Sequence, residues 1–360
     1  MDRGKRPDRA LAARNNKIYM DLKDIIREHS LYFLPAKSLF RFSAVCRDWK
    51  LQILSPFFAH NQSLSCRSTS GFFLQTHDGS LSLIPIDPTF CGVPDPFLKF
   101  LPEPVEIRSS SNGLLCCQGR AGDKAYYICN PVTQQWKELP KSNANHGSDP
   151  AIILLFEPSL LNFEAEYKII CAFPSTDFDD AIEFDIYSSK GNSWEVAGEI
   201  HFGAKTTRMP KSGVHVNGVV YWMTTTNSIL AFDLTKERSQ LLQNYDNRGT
   251  LGSFSGKLCK TNVSGNTIIL NILDNIHTNT MQMGSRARMW AEKQRVVLDS
   301  KIVGDVAGDC SVLHVDSDIL VFQRGGKAFW YDFKSRATKC IPAGLHNGKC
   351  LPYVNNLISL

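Results

Sequence analysis

Val214-His215-Val216-Asn217-Gly218-Val219-Val220-Tyr221-Trp222 is the stretch that decides the fold. Two β-branched and aromatic runs flank an Asn-Gly pair. That dipeptide supplies the two positive φ values of a type I′ turn, so the stretch predicts a tight antiparallel hairpin. A second hairpin is predicted where Phe72-Phe73-Leu74-Gln75 is joined through His77-Asp78-Gly79 to Leu81-Ser82-Leu83-Ile84. From residue 66 onward the chain keeps this texture of short apolar runs separated by turn residues, without helical periodicity.

A weak repeat runs through the same region. Tyr127-Ile128-Cys129-Asn130 leads to Trp136, and Asp185-Ile186-Tyr187-Ser188 leads to Trp194. Leu230-Ala231-Phe232-Asp233 leads to Ser239, and Phe329-Trp330-Tyr331-Asp332 leads to Thr338. Their starts are 58, 45 and 99 residues apart, and the last gap leaves room for a degenerate copy around Leu270–Trp290. A period of roughly 45–55 residues, each built of several short strands, is what a propeller blade requires. Residues 66–360 therefore predict an all-β domain, a β-propeller of about six blades, with a paired β-sandwich as the alternative.

Upstream, the pattern is helical. Leu22, Ile25, Ile26 and His29 form one stripe, with Asp21 placed as an N-cap and Asp24 three residues later. Leu34-Pro35 interrupts this helix, and Pro35 can open the next. Leu39, Phe42, Val45, Cys46 and Trp49 make a second stripe, faced by Lys37, Arg41, Arg47 and Lys50; Ser55-Pro56 ends the segment. So few short helices cannot bury this apolar surface alone. The stripes either pack on the rest of the chain or dock another protein's helices.

Composition narrows the function. With 43% hydrophobic and 21% charged residues the chain reads as a folded protein rather than a disordered or coiled-coil one. Residues 1–18 carry a net charge of +4 and read as a disordered basic tail. The other 342 residues hold 34 basic and 33 acidic groups, no excess that would draw the body onto nucleic acid. No run reaches the roughly 18 apolar residues of a membrane span, and no apolar stretch follows the basic head as in a secretory signal. The eleven cysteines lack any C-x-x-C spacing and suit a reducing compartment, the cytoplasm or nucleus. Phosphate-loop, dinucleotide, zinc-protease and nucleophile-elbow motifs are absent; Gly252-Ser253-Phe254-Ser255-Gly256 has its serines in the wrong places for the last. The cluster Asp177, Asp179, Asp180 and Glu183 lacks the spacing of a calcium loop. No cofactor, metal or catalytic residue is expected.

Leu34-Pro35-Ala36-Lys37-Ser38-Leu39-Phe40-Arg41-Phe42, followed by Val45-Cys46-Arg47-Asp48-Trp49, resembles the F-box motif: Leu-Pro, Lys-Ser-Leu, Arg-Phe, then Val-Cys-x-x-Trp. Ser55-Pro56 and Phe58 are similar to its usual ending, whereas Tyr19-Met20 stands where a second Leu-Pro is common. The remainder resembles the F-box-associated, kelch-like region of plant F-box proteins. That likeness is carried by Ser111-Asn112-Gly113-Leu114-Leu115-Cys116, Cys129-Asn130-Pro131-Val132-Thr133 with Trp136, Tyr167-Lys168-Ile169-Ile170, Val216–Trp222 and Leu351-Pro352-Tyr353-Val354.

The resemblance implies F-box helices over 19–62 and an associated substrate-binding domain over 66–360. It further implies a substrate receptor of an SCF-type ubiquitin ligase, non-catalytic itself. A Skp-type adaptor would dock on the set Leu22, Ile25, Ile26, Leu34, Pro35, Leu39, Phe42, Val45, Cys46 and Trp49, and would link the chain to a cullin. An unidentified target protein would sit on the β domain, on loops such as Ser142–Asp149, Ser175–Asp180, Thr224–Asn227 and Asn275–Arg288. Neither nucleic acid nor membrane is an expected partner. The alternatives are a ligase-independent binding module and a propeller enzyme or carbohydrate binder.

Overall fold

In the computed structural model, the described residues form 23 strands in six antiparallel sheets behind an N-terminal group of short helices. The structure describes residues 25–26, 30–76, 78–87, 92–147, 150–158, 165–203, 213–224, 228–242, 249–273, 290–299, 310–341 and 349–360. Leu22, Asp21, Asp24, His29 and the basic tail lie outside them.

The strands are β1 (Gly71–Gln75), β2 (Leu81–Pro85), β3 (Val105–Ser111), β4 (Leu114–Gly119), β5 (Tyr126–Asn130) and β6 (Gln135–Glu138). Then follow β7 (Ala151–Phe156), β8 (Tyr167–Pro174), β9 (Ala181–Ser188), β10 (Ser193–Phe202), β11 (Val214–Val216) and β12 (Val219–Met223). The rest are β13 (Ile229–Asp233), β14 (Arg238–Leu242), β15 (Thr250–Phe254), β16 (Lys257–Ser264), β17 (Thr267–Leu273), β18 (Trp290–Val297), β19 (Cys310–Val315), β20 (Ile319–Arg324), β21 (Lys327–Asp332), β22 (Thr338–Ile341) and β23 (Lys349–Tyr353).

Five sheets are four-stranded meanders, β3–β6, β7–β10, β11–β14, β15–β18 and β19–β22. The sixth joins both ends of the chain: β23 pairs with β1, from Gly71↔Tyr353 to Gln75↔Lys349, and β1 pairs with β2. The hydrophobic clusters lie between successive sheets, including one that joins the β19–β22 sheet to β1 and β2. Packing therefore runs around a closed ring, which makes this a six-bladed propeller and removes the paired sandwich.

The blades explain the weak repeat. All four repeated segments are third strands (β5, β9, β13, β21), and each anchor six residues later is on a fourth strand. The degenerate copy falls on β17 and β18, whose connection is lengthened by residues 274–289. Middle strands are sandwiched between neighbouring blades, so β4, β5 and β13 are buried on both faces, while the outer β6 is exposed throughout. This is why the middle strands read as unbroken apolar runs rather than alternating ones.

The decisive hairpin is β11–β12, with Val216↔Val219 flanking Asn217 (φ 50°) and Gly218 (φ 79°). Asn112-Gly113 makes the same turn between β3 and β4, and Ser255-Gly256 between β15 and β16. Gly252–Gly256, the near match to a nucleophile elbow, is thus a strand end and its turn. The first hairpin is looser than an Asp-Gly pair implies. Residues 76–80 connect β1 to β2, closed by Thr76 N–H donating to Ser80 O at 3.1 Å.

The helices differ from the sequence pattern in two respects. A 3₁₀ turn at Leu31–Phe33 ends before Pro35, which caps α1 (Ala36–Phe42). The second stripe then breaks after Phe42, where Ser43 Oγ donates to Phe40 O at 2.7 Å and competes with helix continuation. Cys46 caps α2 (Arg47–Ile53) instead, its Sγ accepting from Trp49 N–H. Ser55-Pro56 does not end the segment. Ser55 Oγ accepts from Phe58 N–H, Pro56 occupies the first turn, and a third helix, α3, runs Pro56–Ser65.

Leu31, Ala36, Leu39, Ile53, Phe58 and Ala59 pack into one cluster with Phe73, Leu81, Ile107, Tyr353 and Leu357 of the propeller. Each fully buried Leu or Phe there contributes roughly 1.5–3 kcal/mol relative to exposure. Leu357 N–H donates to Gln62 Oε1 at 3.0 Å, and Asn356 Nδ2 donates to Asn112 O at 2.7 Å. The C-terminal residues therefore lie between α3 and the turn joining β3 to β4. Helices and propeller share one core.

Candidate docking surfaces

Packing against the propeller sorts the helical residues. Leu39 is fully buried and belongs to the shared core, not to a surface. Ile26, Leu34, Phe42 and Trp49 are half-buried against the same core, with Phe42 and Trp49 edge-to-face at 5.5 Å. Pro35 is partly exposed at its cap. Ile25, Val45 and Cys46 are exposed, Val45 by 63%. Leu22 is outside the described residues.

Four exposed apolar residues were not singled out by periodicity: Phe33 (69%), Leu51 (62%), Leu54 and Phe57. In α2, Trp49 and Ile53 face inward four residues apart, which turns Leu51 and the adjoining Leu54 outward. A short helix apolar on two sides is the sequence signal for such a surface. Exposed Arg41, Arg47 and Lys50 lie among these residues against a single acid, Asp48. An exposed apolar patch with a basic rim fits a protein partner that presents apolar and acidic groups.

The propeller has two unlike faces. Turns between first and second strands and between third and fourth strands open toward α3 and the C-terminal residues. Connections between second and third strands, and from a fourth strand to the next blade, open on the opposite face, where Arg120 Nη1 donates to Asp78 O at 3.3 Å. Ser142–Asp149, Ser175–Asp180 and Thr224–Asn227 all connect strands on that opposite face, with 148–149 and 225–227 outside the described residues. Asn275–Arg288 also lies outside them, and its flanking ends, Leu273 and Trp290, are on the helix side.

The 142–147 segment is pinned. His146, nearly buried, holds Asp185 Oδ2 through Nε2 at 2.8 Å and Tyr126 OH through Nδ1 at 3.1 Å; Ser142 Oγ donates to the same carboxylate. This network joins the β3–β6 blade to the β7–β10 blade. The 175–180 loop is fastened by Ser175 Oγ on Glu183, and it carries Phe178 outward against Phe202.

Along the propeller axis lies a cavity of about 1430 Å³, lined by inner-strand residues such as Ser110, Leu155, His215, Leu313, His314 and Pro352. Burial holds the His215 imidazole below its ordinary value, partly offset by Glu157, while His215 Nε2 accepts from Gly218 N–H. Asp316 accepts from His314 and Thr69 on Oδ2. Burial works to raise its carboxyl, but the His314 hydrogen bond and charge and the Ile319 and Asp318 N–H groups outweigh it and bring it below the usual range. Among the described residues no three His, Cys, Asp or Glu side chains are grouped to hold a metal ion, and no helix is long and apolar enough to cross a membrane. The ten described cysteines are unpaired.

Residues 94–256 match the model of the F-box associated beta propeller domain. In the structure that span runs from the approach to β3 through β15, covering three complete blades and the inner strand of the next. The chain is 30% identical to an F-box protein of Arabidopsis thaliana over 202 residues, 53% of this chain and 55% of that protein. It is 28% identical to an Arabidopsis thaliana F-box/kelch-repeat protein over 215 residues, 57% of this chain and 49% of that protein. It is 24% identical to F-box only protein 6 of the same plant over 225 residues, 61% of this chain and 46% of that protein. The chain spans about half the length of these curated relatives.

Proposed function

From the premise that this is a plant F-box protein with an F-box-associated β-propeller, we propose that it is the substrate receptor of an SCF-type ubiquitin ligase. The helices dock a Skp-type adaptor, through it a cullin, and the propeller holds a target protein. The receptor makes and breaks no bonds. It acts by raising the local concentration of a target lysine near the conjugating enzyme. Such a receptor works in the cytoplasm or nucleus.

The observation that carries this reading is the exposed apolar surface of Phe33, Val45, Leu51, Leu54 and Phe57 with its basic rim. Leu39 supports the surface from inside. The shared core fixes the helices on one side of the ring, so an adaptor bound there leaves the opposite face open to a target.

The test is co-elution of the full chain with a purified Skp-type adaptor, alongside a Val45→Asp/Leu51→Asp variant. Complex formation with the wild type, lost in a variant of unchanged melting temperature, is the expected result. A folded wild type that fails to bind several such adaptors returns the chain to a ligase-independent binding module.

A further inference from the structure

The outer strand of the β7–β10 blade carries an apolar ladder that runs to the end remote from the helices. On β10, Val196, Ile200 and Phe202 are exposed, the last by 59%. Glu199 and His201 turn the other way and bond Ser239 of the next blade. Phe178, 47% exposed on the 175–180 loop, meets Phe202 edge-to-face with ring centroids 5.3 Å apart. Gly203 N–H donates to Asp180 O at 3.1 Å, which ties loop and strand end together. Two large aromatic rings held half in water are a costly surface for a chain that leaves them unused.

In the two described segments that build this ladder the charge has one sign. Residues 175–183 and 193–203 contain Asp177, Asp179, Asp180, Glu183, Glu195 and Glu199, and no Lys or Arg. Glu199 is compensated by Arg238 at 3.0 Å on the opposite flank. Asp177 and Asp179 are exposed on either side of Phe178, and Asp180 Oδ1 is shielded from solvent with no donor.

The geometry points to a docking site for a cationic, apolar-anchored peptide segment of another protein. An aliphatic or aromatic side chain packs on Phe178 and Phe202, and flanking Lys or Arg residues face Asp177 and Asp179. Wet rings supply the apolar contact, and the surrounding acids select the charge of the partner. This rests on the reading of the propeller as the target-holding domain, and it names what that domain recognises. The opposite charges on the two surfaces, acidic here and basic around the helices, keep one partner from occupying both.

The probe is a short fluorescein-labelled peptide of alternating Lys and Leu, titrated into the full chain and read by anisotropy, beside Glu/Leu and Lys/Ser peptides. The Lys/Leu peptide is expected to bind at least tenfold more tightly than either, with an affinity that falls as salt rises. Phe178→Ser/Phe202→Ser and Asp177→Lys/Asp179→Lys are each expected to weaken it at least tenfold without changing the melting temperature. Equal binding of the Glu/Leu peptide, or unchanged affinity in both variants, overturns the site. Residues 204–212 carry Lys205, Arg208 and Lys211. A tenfold gain on changing these three to Gln would make the chain itself the occupant and overturn the proposal. Adaptor co-elution, which reads the helices alone, is expected to survive every one of these substitutions, so the two readings fail separately.

Discussion

Gln62 on α3 and Leu357 near the C-terminus are 295 positions apart in sequence, yet Leu357 N–H donates to Gln62 Oε1 at 3.0 Å. Gln62 is wholly buried, and its Nε2 donates to Leu34 O at 3.4 Å. One amide thus joins the Leu34-Pro35 step, the third helix and the C-terminal residues. Gln62→Ala leaves the buried Leu357 N–H without this partner, which costs about 1–3 kcal/mol, and also removes the part-buried bond to Leu34 O. The expected result is a lower denaturant midpoint together with faster hydrogen exchange at Leu357. An unchanged midpoint would mean that water replaces the amide.

Leu39 and Val45 should separate stability from docking. Leu39→Ala empties a fully buried site in the shared core and is expected to cost about 2–5 kcal/mol in chemical denaturation. Val45→Ser, at an exposed position, is expected to stay within about 0.5 kcal/mol of wild type while weakening adaptor binding. A destabilised Val45 variant would move that residue from the surface to the core.

Gly113 has φ 92°, and a Cβ built there would lie 2.3 Å from Asn356 Oδ1. Gly113→Ala therefore meets backbone strain and an overlap with the side chain that bonds Asn112 O. A loss of about 1–3 kcal/mol is expected, and the Gly113→Ala/Asn356→Ala double variant is expected to lose less than the sum of the two single variants where the overlap contributes. Additive losses in the double-mutant cycle would assign the whole effect to the backbone.

His201 and His215 predict a pH dependence. Burial lowers both imidazoles from 6.5, with Glu199 and Glu157 respectively acting in the opposite direction. The unfolded chain then binds more protons than the folded one below that value, so stability is full above about pH 6.5 and falls on acidification toward the folded values. Melting temperature is expected to drop between pH 7.5 and 5.5, and the slope to flatten in a His201→Gln/His215→Gln variant. The lowered carboxyls of Asp316 and Glu199 start from 3.8 and 4.5 and release their contribution only at lower pH. A variant that keeps the wild-type slope would assign the effect to other groups.

The β domain was legible where local chemistry acts alone. Asn217-Gly218 fixes its turn without help from distant residues, and third strands repeat because each has the same neighbours. The Leu34-Pro35 break follows from proline's missing N–H. What sequence left unsorted was set by contacts across the chain. Leu39 and Val45 belong to one apolar stripe, and only the propeller beneath the helices makes one core and the other surface. The break at Ser43 hangs on a single side-chain bond to Phe40 O, too local for a periodic pattern to register. Phe178 and Phe202 are 24 positions apart and separated by a whole strand, so nothing in their spacing announces that their rings meet.

The pairing of β23 with β1 also sets a schedule. During synthesis the first strand of the ring leaves the ribosome about 270 residues before its partner, an interval on the order of 15–50 s at ordinary elongation rates. Throughout that time Phe73 and the inward sides of the helices have no Tyr353 or Leu357 to cover them. A chain cut short anywhere before Lys349 leaves β1 without its β23 partner, so the ring stays an open arc with an apolar seam exposed to water.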